Sequence, residues 1–169
     1  MRSGAGGVIM RDILFKAKRK NWKELPKEEQ WVYGYYVIGL NTYEEPIHII
    51  FEPTTIFGEN GKTDRWVEID PDTICQYTGL TDDDGEKIWE CDILRTYDCT
   101  TEDYIVVWSI EKGAYVIASS RKTDDKYTSK VGNVIYEEHE DLVYEVLSEG
   151  GLHPVVIGNI FDNPELLEG

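Results

Sequence analysis

Apolar and polar positions alternate through most of this chain, and alternation at a period of two predicts strands. Arg11–Lys18 (RDILFKAK) predicts a first strand, with Ile13 and Phe15 on one face and Asp12, Leu14 and Lys16 on the other. Trp31–Leu40 (WVYGYYVIGL) is a run of aromatic and β-branched residues that suit a pleated, half-buried surface. The polar stretch Asn21–Gln30 holds Pro26 and reads as a connection or a short helical turn. Ile47–Phe51 predicts a third strand. Asn60-Gly61 is a two-residue turn signal, because both residues tolerate positive φ, and Trp66–Ile69 pairs back across it. Asp70-Pro71 closes this section, and the pattern places a boundary near residue 72.

The second half repeats the rhythm. Ile74–Leu80, Lys87–Trp89 and Asp92–Tyr97 predict short strands, the first two joined by the tight turn Thr81–Gly85. Tyr104–Ile110 (YIVVWSI) is the clearest strand, with Tyr104, Val106 and Trp108 facing one way and Ile105 and Val107 the other. Glu111-Lys112-Gly113 turns it into a hairpin with Ala114–Ser119. Arg121–Lys130 is polar and reads as an exposed loop. Within Glu137–Leu147, the residues Leu142, Val143, Val146 and Leu147 fall at helical spacing and predict a short helix ended by Gly150-Gly151. Val155–Ile160 is the last predicted strand. Asn163-Pro164-Glu165 then starts a terminal turn of helix. The expected fold class is therefore mainly β, divided as an extension (residues 1–9), an N-terminal β section (10–72) and a second β unit (73–169), with short helical segments near the C-terminus.

Charge changes this picture in one respect. The chain carries a net charge of -16, unevenly spread. Residues 1–27 hold eight Lys/Arg against two acids, or +6, and residues 28–169 hold nine against 31, or -22. Such an acidic body argues against duplex DNA, where Lys and Arg supply most of the phosphate affinity. It suits a basic protein partner, or self-association in which one copy's basic edge meets another's acidic face. The alternative is that the basic strand pairs with acids of its own fold. No apolar run is long enough to span a bilayer and no secretory leader is visible, so the expected compartment is cytoplasmic and no membrane partner is expected. Three cysteines, Cys75, Cys91 and Cys99, are odd in number and suggest a reducing environment rather than a disulfide framework.

The candidate chemistries fail one by one. Asp82-Asp83-Asp84-Gly85 invites a calcium loop, but with Gly85 in sixth place the first and twelfth ligands fall on Leu80 and Cys91. The cysteines lack a C-x-x-C pair and His48, His139 and His153 are scattered, so no metal site is expected. Cys91 sits between Glu90 and Asp92, whose negative charge raises a thiol pKa and disfavours activation. His48, in an apolar strand, reads as a structural histidine. Paired acids are too numerous to be diagnostic. Gly150-Gly151 has neither the spacing nor the lysine of a phosphate cradle, and no cofactor is expected. No catalytic residue is assigned, and the expectation is a non-enzyme. One binding candidate remains. Trp89, Trp108 and Tyr115 could form an aromatic cluster that stacks bases or grips a peptide; the bland alternative is core.

Three blocks in order carry a family resemblance. They are RDILFKAK followed by WVYGYYV, then QYTGLTDDDGEKIWECDIL over Gln76–Leu94, and VIGNIFDNPELL over Val156–Leu167. Together they resemble the YopX family of phage and prophage proteins. Cys91 departs from the pattern, standing where the family has Gly; if that Gly serves an unusual backbone angle, Cys91 must tolerate it or the turn must shift. The resemblance implies an SH3-like barrel over residues 73–169 and a phage or prophage gene in a bacterial host. It brings no activity and no site residues. The functional expectation is an accessory protein that binds another macromolecule, a basic host or phage protein or a second copy of itself. Two alternatives are a single-stranded nucleic-acid module, on the analogy of small barrels, and a metal-dependent hydrolase built from scattered carboxylates.

Overall fold

A computed structural model describes residues 12–52, 65–97, 101–119, 128–131, 134–143, 147 and 153–167. The expected extension, the Asn60-Gly61 turn and Cys99 lie outside these residues.

Strand pairing sorts the described residues into two six-stranded antiparallel sheets. The first holds β1 (Phe15–Lys18), β2 (Trp31–Leu40), β3 (Pro46–Glu52), β4 (Arg65–Glu68), β5 (Cys75–Thr81) and β6 (Lys87–Trp89), in the order β4-β3-β2-β1-β5-β6. The second holds β7 (Asp92–Tyr97), β8 (Thr101–Ser109), β9 (Ala114–Ser119), β10 (Thr128–Val131), β11 (Val134–Leu142) and β12 (Val155–Asn159), in the order β10-β11-β9-β8-β7-β12. The protein is mainly β, as the alternation predicts. Strand order is open in both sheets among the described residues. Hydrogen bonding also crosses position 72, since β5 pairs with β1 at Phe15↔Gln76 and Lys16↔Cys75.

The first sheet curls. An isolated bridge, Arg19↔Ile69, ties the chain after β4 back to the end of β1. The N–H of Lys20 bonds the Glu68 carbonyl, and the N–H of Asp70 bonds the Lys18 carbonyl. The concave face encloses Ala17, Val32, Ile50, Val67 and Ile69, all buried. Gly34 permits the bend, because a Cβ there would stand 2.0 Å from the Phe51 carbonyl oxygen. Asn21–Gln30 connects β1 to β2 through a 3-10 turn (Trp22–Glu24) and one helical turn (Lys27–Gln30), as its composition suggests.

The second sheet is apolar on both faces. Leu94, Val106, Tyr115 and Ile117 pack on one side with Ile88 and Val143; Ile105, Val107, Val116 and Ala118 pack on the other. The predicted alternation along β8 is thus realised. Two expectations are corrected. Val143 and Leu147 are helical, as their spacing predicts, but Glu137–Leu142, read as the start of that helix, belongs to β11, which pairs with β10 and, across a register shift between Glu138 and Leu142, with β9. Thr128–Lys130, read as loop, belongs to β10. In both places cross-strand pairing, which is non-local, outweighs the local pattern. After Asn163 a 3-10 turn, Pro164–Leu167, follows β12.

Glu90 and Cys91 carry the chain from one sheet to the other. Glu90 N–H bonds the Gln76 carbonyl in the first sheet, while Cys91 N–H bonds the Val106 carbonyl in the second. Cys91 does adopt a left-handed backbone, φ 70°. The cysteine holds a conformation in which glycine is the unstrained residue.

Candidate functional site

The seam where the sheets meet is built from β1. Alternation puts Ala17 into the apolar core and turns Lys16 and Lys18 to the opposite face, where the second half of the chain covers them. Both lysines are buried, Lys18 to 1 % exposure. A buried ammonium is unstable unless paired and hydrogen-bonded, and each lysine has a carboxylate from the other half. Lys16 Nζ donates to Asp92 Oδ1 at 2.5 Å, and the other Asp92 oxygen accepts the Trp89 N–H at 2.8 Å. Lys18 Nζ donates to Asp162 Oδ1 at 2.6 Å and to Gln30 Oε1 at 3.0 Å. Asp162 Oδ2 accepts from the Trp31 indole at 2.7 Å and from Asn159 Nδ2 at 2.9 Å.

Indole rings complete the enclosure. Lys16 Nζ lies 5.2 Å from the Trp31 ring centroid and 5.6 Å from that of Trp89; Lys18 Nζ lies 4.0 Å from Trp22 and 5.3 Å from Trp31. Each ammonium thus rests against two π-faces, a desolvated setting in which one such contact contributes up to about 2 kcal/mol. Burial pushes the Asp92 carboxyl above its ordinary value, against the pull of Lys16. Burial also pushes Asp162 upward, but the bonds from Lys18, Asn159 and Trp31 outweigh it and hold that carboxyl below its ordinary value. Every polar group named here is occupied by another part of the same chain. The seam has the chemistry of an internal clasp.

The same holds for the groups singled out in the sequence. Cys75 and Cys91 are free, buried thiols beside each other in the seam. The hydrogen bond with Cys75 and burial raise the Cys91 thiol well above its ordinary value, with Glu90 adding to the effect, so the thiol form persists. His48 Nδ1 meets the Tyr36 hydroxyl at 2.5 Å, and its ring stacks on that tyrosine. The Asp82–Gly85 turn is a structural joint: Asp82 is buried, and its carboxylate accepts N–H groups of Asp84, Glu86 and Val156, tying the β5–β6 turn to β12. Burial pushes up both the Glu90 carboxyl and the Tyr33 hydroxyl; for Glu90, the N–H groups of Gln76 and Trp108 pull back. Among the described residues, no three His, Cys, Asp or Glu side chains gather to hold a metal ion.

The three aromatic candidates are divided between two places. Trp108 and Tyr115 meet edge to face, ring centroids 5.0 Å apart, at a cross-strand pair of β8 and β9. Trp89 instead packs against Tyr33 and Tyr77 at the seam. Trp89 and Tyr115 are buried, while Trp108 is partly exposed.

The surface that the sequence reading missed lies on the convex side of the first sheet. Odd-numbered residues of β2 share a face with their partners on β3 and β4, at Tyr35↔Phe51, Val37↔Ile49 and Phe51↔Trp66. The seam covers this face at Trp31 and Lys18 and touches it at Tyr33, whose ring meets Trp89, but reaches no farther along. Tyr33, Tyr35, Val37 and Trp66 are exposed there, with Ile49 and Phe51 half-buried between them. Trp66 packs on Phe51 at 4.7 Å. Beside Trp66 a depression of about 430 Å³ is lined by Arg19, Lys20, Asn21, Val67 and Glu68. The signal was available in WVYGYYVIGL, whose odd and even positions are both apolar, although a one-sided sheet needs only one set.

No helix among the described residues is long and apolar enough to cross a membrane. Comparison with curated protein sequences gives no match. The family model described as YopX protein matches residues 26–168, a span that takes in β2 to β12 and the 3-10 turn after them. By that match over nearly the whole of its length, the chain belongs to the YopX family.

Proposed function

We propose that this protein is a non-enzymatic accessory protein, phage- or prophage-encoded, that works by binding a basic protein of the phage or its bacterial host. The observation that carries this reading is the convex apolar face of β2, β3 and β4. Single exposed apolar residues are ordinary, but a contiguous patch on paired strands marks an interaction site. Tyr and Trp are also the residues that dominate binding energy at interfaces. The charge of -22 on residues 28–169 supplies long-range attraction for a basic partner.

The test is capture from host lysate by the wild-type chain and by Trp66→Ser. A basic protein retained by the wild type and lost by the variant, with urea midpoints alike, is the expected result. Equal capture by both would remove the convex face from the proposal.

The nucleic-acid reading has Trp66 beside Arg19 and Lys20 in its favour. Against it, Lys20 is paired with Glu68, and Glu28 and Glu29 line the neighbouring depression that also contains Arg19. The finer fold reading, an SH3-like arrangement of residues 73–169, rests on the family resemblance and on the run of short antiparallel strands β5 to β9. It carries no ligand with it.

A further inference from the structure

Beside its apolar face, β2 has an edge that is open among the described residues. Ladder bonds alternate along a strand. The N–H of Asn41, just past β2, bonds the Glu45 carbonyl, so odd-numbered residues of β2 turn their backbone groups to β3. The Arg19 N–H bonds the Gln30 carbonyl on the other side, so even-numbered residues face β1. But β1 pairs with β2 only from Lys18↔Trp31 to Phe15↔Gly34. Beyond that point the N–H and C=O groups of Tyr36, Ile38 and Leu40 face away from β3, and no described residue pairs with them.

Proteins blunt such edges with short strands, charges or proline. The outer edges of β6 and β10 follow this practice: they are three and four residues long and carry Lys87 and Lys130. β2 does not. It is ten residues long, without a charge or a proline from Trp31 to Leu40, and its side chains at Ile38 and Leu40 are 59 % and 67 % exposed.

We infer that the edge of β2 over Tyr36–Leu40 is a homodimer interface, in which two copies pair antiparallel about Ile38 into one continuous sheet. An open edge calls for an extended strand, and this edge complements itself. Centred on Ile38, the pairing sets Tyr36 opposite Leu40 of the second copy and Ile38 opposite Ile38. Each opposed pair exchanges both N–H···O bonds. Val37 then lies over Gly39 of the second copy, where no side chain obstructs it. The same register carries Tyr43, at the hairpin tip and 83 % exposed, toward the start of β1 in the second copy, where Ile13 is 59 % exposed.

Five apolar side chains (Ile13, Val37, Ile38, Leu40 and Tyr43) at roughly 100 Å² apiece, about half a large side chain's full area, supply about 500 Å² per copy. Two copies reach about 1,000 Å², the lower bound for a specific interface. Like-charged bodies repel, yet the pairing segment itself, Tyr36–Leu40, carries no charge.

Sedimentation equilibrium of the full chain over the micromolar range tests this. A concentration-dependent dimer is expected for the wild type. Ile38→Pro should weaken it about a hundredfold or more, because proline removes a donor that the monomer does not use. Ile38→Thr keeps the N–H and should stay within about tenfold of the wild type. Far-UV circular dichroism and urea midpoints verify that both variants fold. A wild type that remains monomeric throughout, or an Ile38→Pro variant that dimerises as tightly as the wild type, would overturn the inference. Trp66→Ser, which should abolish partner capture, leaves this edge intact, so failure of the dimer and failure of the proposed function are separable.

Discussion

β1 and β2 are neighbouring strands with opposite economies of surface. On β1 the residues turned away from the core are lysines, and they are buried. On β2 the corresponding residues are Tyr33, Tyr35 and Val37, and they are exposed. Neither arrangement follows from hydrophobicity alone, which would cover the aromatics and leave the lysines in water. The difference lies in what stands opposite. β1 faces Asp92 and Asp162, which convert two ammonium groups into an internal clasp. β2 runs past the seam, and no described residue covers its outer half. Buried charge here holds one chain together, and exposed hydrocarbon is left for another.

The sharpest way to break this comparison is to unpair the clasp. Asp92→Ala leaves Lys16 buried without a carboxylate and removes the acceptor of the Trp89 N–H. Loss of one partner of a buried pair costs about 3–5 kcal/mol, and urea denaturation should show a loss of that order. Lys16→Met combined with Asp92→Asn should recover more than half of it, because no unpaired charge remains. A double variant as unstable as the single one would mean that the charge pair is not what holds the seam.

A smaller effect is expected at the second pair, and it depends on pH. Asp162 is held below its ordinary value, so folding favours its ionised form. The stability it contributes is present above the unfolded carboxylate range and is lost as pH falls through its folded value. Asp92 has the opposite sign: its raised value makes the ionised form costly, and acidification relieves it. Asp162→Asn should therefore cost about 2 kcal/mol near pH 7 and flatten the acid-side decline, as urea midpoints between about pH 7 and pH 3 would show. An unchanged slope would assign the acid sensitivity to other carboxylates.

The smallest effect belongs to the exposed strand. Leu40→Ser should change monomer stability by no more than about 0.5 kcal/mol, measured at concentrations below any self-association. A larger loss would mean that the outer half of β2 is covered within its own chain, and the contrast with β1 would disappear.

Much of this molecule was legible before folding was considered. The span of β2 was read as it stands, and β3, β6, β7, β9 and β12 within a residue or two, because period-two patterning and turn residues are local signals. The left-handed turn at Cys91 was also legible, through the glycine that the family resemblance places there. The lysines were not. Lys16 read as a polar face, because alternation reports which side a residue takes and not what will cover it. Asp162 is 144 residues from Lys18 and had no local reason to be chosen among 33 acids. The strand β11 was hidden for a related reason: Glu137–Leu142 carries no clear period-two signal of its own, and only pairing with β9 and β10 selects the extended form there, while Val143 and Leu147 beyond it are helical as their spacing predicts.

By itself, then, the sequence determined a β protein of short antiparallel strands, a strong charge asymmetry and the absence of any local catalytic or metal motif. These depend on neighbours along the chain. Tertiary structure decided which charges are buried, which apolar residues stay outside, and that β1 ends at Phe15 while β2 continues to Leu40. Those outcomes depend on contacts between distant segments. A strand edge is open or closed only once the lengths of adjacent strands are set against each other in space.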